Sequence, residues 1–477
     1  MNHYWIIYSF LLVIIHALGI LNAAHAVMNG RTSQGSIAWV ISLVTFPWIA
    51  VPLYWIIGRH KFHGYAELHR LAYIKYKDLV VHVYHAIVKF EAEPQSQIAS
   101  LQKYALILTG LPFTSGNLTQ LLINGERTFR AILDAIHSAK DYILIQFYIV
   151  NDDEIGNEFK EALIAKAQQG VRVYFIYDEI GSNKLPKTYI TQLRQSGVRI
   201  TAFHTTKGRG NRFQINFRNH RKIVVVDGKI AFLGGLNIGD EYLGKNPRLS
   251  PWRDTHMMLQ GPAVLCVQVS FLRDWYWAVR RLPEVYWEVK AVPEKNETVF
   301  VLPTGPADIF KVCSIFFVSL INQACNRLWI ASPYFVPDET TLMALQNAAL
   351  RGVDVRIILP DRPDHLMVYL CSFSYYAEMQ AAGIKLYRYK AGFMHQKVTL
   401  LDNILASVGT VNFDNRSFYL NFEITAFVTD SSFVSSVEKM LQEDFAASYC
   451  VELSAYEKKP FWFKLVVRLT RLMAPLL

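Results

Sequence analysis

The chain has 477 residues, a formal net charge of +10, and a composition that is 52% hydrophobic and 13% aromatic. Its five cysteines, Cys266, Cys313, Cys325, Cys371 and Cys450, are scattered, odd in number and without a CxxC pair, so neither a disulfide framework nor a zinc site is indicated and they read as small buried apolar residues. The basic balance fits an anionic membrane surface or a nucleic acid and does not choose between them.

Residues 4–27 and 37–57 are apolar stretches without Asp, Glu, Lys or Arg. Each is long enough to cross a bilayer core of roughly 30 Å at about 1.5 Å per residue. With Tyr4, Trp5, Trp39, Tyr54 and Trp55 near their ends they read as a transmembrane hairpin. Pro47 and Pro52 kink the second stretch and leave a re-entrant or half-inserted path open. Ala24, His25 and Ala26 imitate a signal-peptidase site, but the run before them is long and lacks a leading basic residue, and a second apolar stretch follows. The loop between the stretches carries Arg31 alone, whereas Arg59, Lys61, Arg70, Lys75 and Lys77 follow the second; the positive-inside rule then predicts a multi-pass protein with its remaining mass in the cytoplasm. Residues 59–91 mix basic and apolar side chains, as either a helix along the membrane surface or a linker helix packed on the next domain.

An α/β unit then occurs twice. YILIQFYIV (142–150), the helical EFKEALIAKAQQG (158–170), VRVYFIYD (171–178) and QSGVRI (195–200) match LWIASPYFV (328–336), TLMALQNAALRG (341–352), VDVRIILPD (353–361) and AAGIKL (381–386). The fold class is therefore α/β, a fused pair of similar lobes. The expected division is an apolar hairpin over 1–58, a basic linker over 59–114, lobes over 115–295 and 296–455, and a tail over 456–477.

Each unit leads to one copy of HxKxxxxD, as His220, Lys222 and Asp227 and as His395, Lys397 and Asp402, 175 positions apart. Each copy is followed by a small-residue turn and an Asn: Gly234, Gly235 and Asn237, then Gly409, Thr410 and Asn412. The runs KIVVVD and KVTLLD read as buried strands, so His and Lys at i and i+2 share one face. An imidazole beside an ammonium suits a phosphate, with His as nucleophile or proton carrier and Lys as counter-charge. The Asp falls on the opposite face, where it fixes a turn rather than touching substrate. A strand His is ordinarily structural and a Lys two positions on is ordinarily solvated; the coupled repetition argues for chemistry instead. One His from each lobe is expected to meet the other at the interface.

Two further segments are basic. Lys207, Gly208, Arg209 and Gly210 read as a mobile loop and not as a dinucleotide fingerprint. In KKPFWFKLVVRLTRLMAPLL (458–477), Lys464, Arg468 and Arg471 alternate at helical spacing with Leu465, Leu469, Leu472 and Met473, the pattern of an interfacial amphipathic helix or of a helix docked on the core.

Paired HxKxxxxD motifs with the GG or GT turn and the following Asn resemble the phospholipase D superfamily over about residues 115–450. The resemblance implies one composite active site in a pseudo-twofold pair of lobes, with no metal or other cofactor. One His forms a phosphohistidine and the other protonates the leaving group; His220 is favoured as nucleophile and His395 as acid. It also implies an acidic residue orienting the His of its own repeat, Glu423 for His395 and Asp254 for His220. The catalytic set is then His220, Lys222, Asp227, His395, Lys397, Asp402, Asp254 and Glu423, with Asn237 and Asn412 on the substrate phosphate.

Hairpin, lobes and basic tail together resemble the bacterial cardiolipin synthases, which implies a membrane enzyme joining two phosphatidylglycerol molecules, with no nucleic acid partner, at the bacterial cytoplasmic membrane. A membrane-bound phospholipase D using water, another phosphatidyltransferase, a nucleic-acid phosphodiesterase and a lipid-binding scaffold are the alternatives. The intact motifs argue against the scaffold and the apolar spans against the nuclease.

Overall fold

The computed structural model describes residues 2–59, 61–206, 211, 214–452 and 456–477. The basic loop Lys207 to Gly210 lies outside these residues.

The first lobe contributes strands β1 (Thr114–Ile123), β2 (Tyr142–Phe147), β3 (Arg172–Asp178), β4 (Arg199–Phe203), β5 (Arg218–Asn219), β6 (Ile223–Val226), β7 (Ile230–Gly234), β8 (Trp252–Arg253) and β9 (Thr255–Gln260). The second contributes β10 (Glu297–Thr304), β11 (Arg327–Ala331), β12 (Phe335–Val336), β13 (Asp354–Pro360), β14 (Lys385–Tyr389), β15 (Phe393–Met394), β16 (Val398–Leu401), β17 (Leu405–Gly409), β18 (Phe413–Asp414), β19 (Asn421–Val428) and β20 (Ser448–Cys450). One sheet runs through both lobes in the order β20-β14-β13-β11-β16-β17-β19-β10-β1-β9-β7-β6-β2-β3-β4. Apart from β20 the order is symmetrical about the antiparallel β1–β10 seam, where Thr114 pairs with Val299. Continuous β-branched runs such as IVVV of β6 are buried at every position because helices cover both faces of the sheet.

The helices are α1 (Asn2–Asn29), α2 (Ser33–Thr45), α3 (Pro47–Leu53), α4 (Tyr65–Lys75), α5 (Lys77–Val88), α6 (Ala99–Thr109), α7 (Asn124–Ser138), α8 (Glu154–Gln168), α9 (Lys187–Gln195) and α10 (Ala263–Val279), followed by those of the second lobe. α10 and its counterpart Ser431–Ala446 fill a core shared by both lobes, with Phe271 and Trp275 from the first and Val437 and Leu441 from the second. α7 and α8 cover the other face of the first lobe through Ile132, Ile136 and Phe159.

The two apolar stretches differ from the expected pair of spans. α1, 28 residues long, is the one helix among the described residues long and apolar enough to cross a bilayer. The second stretch breaks at Phe46, which leaves helical geometry (φ −130°, ψ 55°) ahead of Pro47. The pyrrolidine of Pro47 disfavours the helical conformation of the residue before it, so α2 ends after 13 residues, roughly 20 Å. The chain then returns. Gly19 lies against Leu43 and Pro47, and His16 against Trp48, at the far point; Trp55 then donates to Asn22 (2.9 Å) and His25 contacts the Tyr54 hydroxyl (2.8 Å) on the way back. The second stretch thus turns back along α1. Arg31, expected on the opposite side from Arg59, instead donates to Asn415 of the second lobe (3.2 Å) and stacks over Tyr419, so both loop ends adjoin the lobes.

The segment expected as a linker belongs to the cores. Phe62, Tyr65, Val83 and Ile87 enter the shared core beside α10, while Ile98, just before α6, and Leu101 and Ala105 of α6 enter that of the second lobe. The outer faces of α4 and α5 keep Leu71, Tyr73, Ile74 and Tyr84 exposed. The C-terminal helix Phe461–Arg471 is docked and amphipathic at once: Arg471 pairs with Glu378 (2.9 Å) and Val467 is buried, while Phe461, Trp462, Leu469 and Leu472 face outward. Of the cysteines, Cys266, Cys313 and Cys371 are buried as expected, but Cys325, in the turn before β11, and Cys450, at the end of β20, are exposed.

Candidate active site

The strands that deliver the two histidines are exchanged between lobes. β5 of the first lobe pairs in parallel with β19 of the second, Asn219 opposite Phe422, and β15 of the second pairs with β8 of the first, Met394 opposite Arg253. His220 continues the first pairing by donating its backbone N–H to the Phe422 carbonyl (2.9 Å), and His395 the second by donating to the Arg253 carbonyl (2.8 Å). Each ring is thereby set beside the residue that follows in the partner strand. Nδ1 of His220 bonds the Glu423 carboxylate at 2.9 and 3.1 Å, and Nδ1 of His395 bonds Asp254 at 2.8 Å. This corrects the expected pairing: the acid of each repeat serves the His of the other. The spacing located both acids and misassigned both partners, since a β-strand exchange leaves no trace in sequence separation.

With the carboxylates holding Nδ1–H, Nε2 of each ring is the nitrogen not engaged by an acid. Burial lowers both histidines to about 4, with Lys222 and Lys397 acting in the same direction and the carboxylates opposing. Lys222 is wholly buried, donates to the His220 carbonyl (2.8 Å) and lies over the Tyr148 ring; burial drives it well below the ordinary lysine value. Lys397 stands within 2.9 and 3.1 Å of the two His395 ring nitrogens, and burial brings it to about 8. Burial acts to raise Asp254 and Glu423, but Lys397 and His395 hold the first below the ordinary carboxylate range and His220 and Lys222 hold the second there. Lys397 also acts electrostatically on His220, and Asp254 on Lys222, so the two motifs share one site.

The carboxylates are seated differently. A Cβ on Gly235 would fall 2.0 Å from an Asp254 oxygen, so that position is restricted to glycine by the close approach. Thr410 occupies the same place in the second lobe and donates its hydroxyl to Glu423, which also accepts from Ser417 (2.9 Å) and Asn421 (3.0 Å). Asp254 accepts from the Thr255 N–H (2.8 Å) and the Trp252 indole (3.3 Å).

Asp227 and Asp402, counted with the catalytic set, stand elsewhere. Asp227 accepts from the backbone N–H groups of Lys140, Asp141 and Tyr142, and Asp402 from those of Cys325, Asn326 and Arg327, all within 3.1 Å. Both have positive φ (51° and 48°) at a β-turn, a conformation that Asp tolerates better than most residues. They lock the turn before β2 or β11 to the end of the motif strand, as the opposite-face argument anticipates. Asn237 accepts from the Ile149 N–H and donates to Tyr242, so its amide is engaged by protein, whereas the buried Oδ1 of Asn412 has no hydrogen-bond partner among the described residues.

Sequence reasoning missed the side chains behind the motifs. Arg221, between His220 and Lys222, points away from them to Asp274 of α10 (2.8 Å to both oxygens) and to the Glu423 and Thr304 carbonyls. Its counterpart Gln396 bonds Asp444, which also takes Arg253 (2.7 and 3.0 Å). The signal was available: the middle residue of HxK faces the opposite side of the strand, so an Arg there in an apolar run needs a buried acid. Tyr148 and Tyr334, from the loops after β2 and β11, wall the site edge-on to His220 (5.1 Å between centroids) and His395 (6.2 Å).

Two buried His–Lys pairs, each oriented by a carboxylate from the opposite half of a duplicated α/β sheet, define a phospholipase D-type phosphatidyltransferase. The chain belongs to the cardiolipin synthase family: the profile described as "Cardiolipin synthase, PLD-like domain" matches residues 132–248 and 317–445. It is 44% identical over 476 residues to cardiolipin synthase A of Pseudomonas putida strain GB-1, covering 98% of each chain. To cardiolipin synthase A of Pseudomonas aeruginosa strain LESB58 it is 45% identical over 476 residues, covering 98% of this chain and 96% of the relative. The fold is also that of the phosphatidylserine synthase from Haemophilus influenzae Rd KW20, at TM-score 0.60 and 17% identity over 79% of this chain and all of that one.

Proposed function

We propose that the enzyme transfers a phosphatidyl group from one phosphatidylglycerol to the terminal hydroxyl of a second, releasing glycerol, at the inner face of the bacterial cytoplasmic membrane. Nε2 of His220 attacks phosphorus while His395 protonates the departing glycerol. His395 then takes the proton of the incoming hydroxyl, whose oxygen displaces His220 and forms cardiolipin. The phosphodiester bond energy is kept in the phosphohistidine, so no nucleotide donor is needed. A bound phosphodiester anion opposes the lysine charge and restores proton affinity to His395, which burial otherwise keeps neutral. Lys222, Lys397 and Asn412 face the accumulating negative charge; Asn237 acts behind them, by holding the loop after β2.

The observation that carries this reading is the crossed pairing of His220 with Glu423 and His395 with Asp254, which gives two opposed histidines fixed in one tautomer. We take residues 115–295 and 296–455 as the two lobes. α1 is read as a single membrane span, with α2 and α3 dipping into the same leaflet as the lobes. Arg31, Arg59, Lys61, Arg70, Lys75 and Lys77 then all lie on the lobe side, which the positive-inside rule assigns to the cytoplasm. The substrate is a phospholipid and not a nucleic acid. Mass spectrometry of products in phosphatidylglycerol vesicles without nucleotide tests the assignment. Cardiolipin and glycerol in equal amounts, lost in His220→Ala and in His395→Ala, are expected; phosphatidic acid as the only product would overturn it in favour of hydrolysis.

A further inference from the structure

The row of side chains that carries His220 and Lys222 begins with a third cation. Asn219 and Arg221 both turn to Asp274, so Arg218, His220 and Lys222 share the opposite face of their segment. Burial falls along that row, from Lys222 (0% exposed) through His220 (8%) to the partly exposed Arg218, which therefore stands at the mouth of the site. From the second lobe Arg416 reaches the same place. It donates to the Asn216 carbonyl (2.5 Å), as Arg218 donates to those of Ile215 and Phe217. Both arginines act on the Tyr148 hydroxyl, opposing burial and Asp178, which raise it.

Neither arginine enters an ion pair among the described residues, and none of the residues outside that set is Asp or Glu. Their hydrogen bonds go to backbone carbonyls, including that of Leu476 (3.1 Å) for Arg416. Arg221 and Arg253, beside the motifs, are by contrast each clamped by a buried carboxylate. The acids that act on the pair, Asp178, Asp414 and Glu423, are engaged elsewhere. Asp178 accepts from the N–H groups of Asn219, Ile180 and Gly181, Asp414 from that of Ser417, and Glu423 holds His220. Burial, and after it the charge of Arg218, lower the proton affinity of Arg416. Two guanidiniums that repel each other with no carboxylate bonded to either are complementary to a phosphate.

The duplicated half has no such pair. Two residues before His395 stands Phe393, buried and stacked on that ring, and the place of Arg416, four residues after Asn412, is taken by Glu241, four after Asn237. Tyr334, the counterpart of Tyr148, donates to Asp364, whose charge acts on His395 and Lys397. One side of the site is thus cationic and the other acidic. Joining two phosphatidylglycerols puts two phosphates in the site at once, one on the catalytic nitrogen and one on the acceptor, separated by a glycerol. Arg218 lies two residues of extended chain from His220, roughly 6.5 Å, a comparable span.

We propose that Arg218 and Arg416, with the Tyr148 hydroxyl, form a second phosphate subsite that holds the phosphodiester of the acceptor phospholipid while its terminal hydroxyl enters the catalytic centre. The subsite rests on the transferase reading given above and deepens it.

The test follows two reactions of the full chain in phosphatidylglycerol vesicles containing labelled glycerol. Attack of labelled glycerol on the phosphohistidine returns labelled phosphatidylglycerol and needs one phosphate; attack by phosphatidylglycerol gives cardiolipin and needs two. Arg218→Gln, and Arg416→Gln likewise, should lower the ratio of cardiolipin to exchanged label about tenfold, the effect of one charge-assisted hydrogen bond, and Arg218→Lys should retain part of it. Exchange itself reports folded enzyme, and Arg218→Gln leaves the backbone contacts of Arg416 in place. An unchanged ratio, with both rates equal to the parent's or falling together, overturns the subsite. A ratio kept while inhibition by inorganic phosphate is lost assigns the pair to a free anion and overturns its lipid occupant. Label exchange without cardiolipin in the parent enzyme instead defeats the proposed function, and the subsite with it.

Discussion

The hydroxyl of Tyr65 donates to Oδ1 of Asp274 at 2.6 Å, and that carboxylate is the one that grips Arg221 between His220 and Lys222 of the first motif. Asp274 also accepts from Asn219, one residue before His220, and from Gln146 of β2. A helix outside the lobes thus completes the buried anchor beneath His220. Tyr65→Phe is expected to cost about 1–1.5 kcal/mol, seen as a fall of a few degrees in Tm. Asp274→Asn leaves Arg221 buried without its counter-charge and should cost roughly 3–5 kcal/mol, with loss of folded protein on expression.

The exchanged carboxylates predict which pairs are coupled. A double-mutant cycle of Glu423→Gln with His220→Ala should show a coupling of roughly 1.5–3 kcal/mol in stability, and Asp254→Asn with His395→Ala likewise. Glu423 with His395 and Asp254 with His220 should be near additive. Coupling within each repeat and none between repeats would contradict the arrangement.

The pH dependence of kcat/KM should be bell-shaped. Attack needs neutral His220, which burial brings to about 4, so activity rises with pH through that region. Protonation of the departing glycerol needs charged His395, which burial also brings to about 4, so kcat/KM falls above that value, and it falls a second time past about 8, where Lys397 loses the charge that phosphate binding needs. Both limbs are macroscopic values of a coupled cluster, measured on the free enzyme. Lys397→Arg should push the alkaline limb upward at reduced rate.

Asp227 and Asp402 should behave as structural residues despite their place in the motif. Asp227→Ala strips three backbone N–H groups of their acceptor and puts Ala at φ 51°, a cost of roughly 2–4 kcal/mol. Asp227→Asn, which tolerates that conformation and keeps one acceptor oxygen, should be milder. Thermal unfolding should show the loss, while kcat per folded enzyme and its pH profile stay close to those of the parent.

Membrane topology is decided by labelling. With α1 the single span, Ser33→Cys lies on the lobe side and Asn2→Cys on the other. In intact cells a membrane-impermeant thiol reagent should label the Asn2 variant and spare the Ser33 variant. The reverse pattern would restore a two-span hairpin.

The duplicated α/β pattern and the two HxK faces were legible because each is local: a buried strand repeats its chemistry every two residues, and the same order of elements appeared twice. The turn role of Asp227 and Asp402 followed from that periodicity too. What sequence could not convey was set by contacts between segments far apart in the chain. Whether Asp254 faces His220 or His395 depends on β8 and β15 lying side by side, and whether the second apolar stretch crosses or returns depends on packing of Trp48, Tyr54 and Trp55 against α1. Composition registers the hydrophobicity of that stretch and not its direction. Arg31, read as a loop charge facing away from the lobes, turns out to be bonded to them.

Because β5 lies beside a strand of the second lobe and β15 beside a strand of the first, neither half of the chain contains both a motif histidine and the carboxylate that bonds it. A gene fragment encoding one lobe would carry an intact HxK motif and an imidazole with no acid to orient it. The protein is consequently indivisible in a sense that its internal duplication conceals: each half depends on the other for the carboxylate beside its histidine.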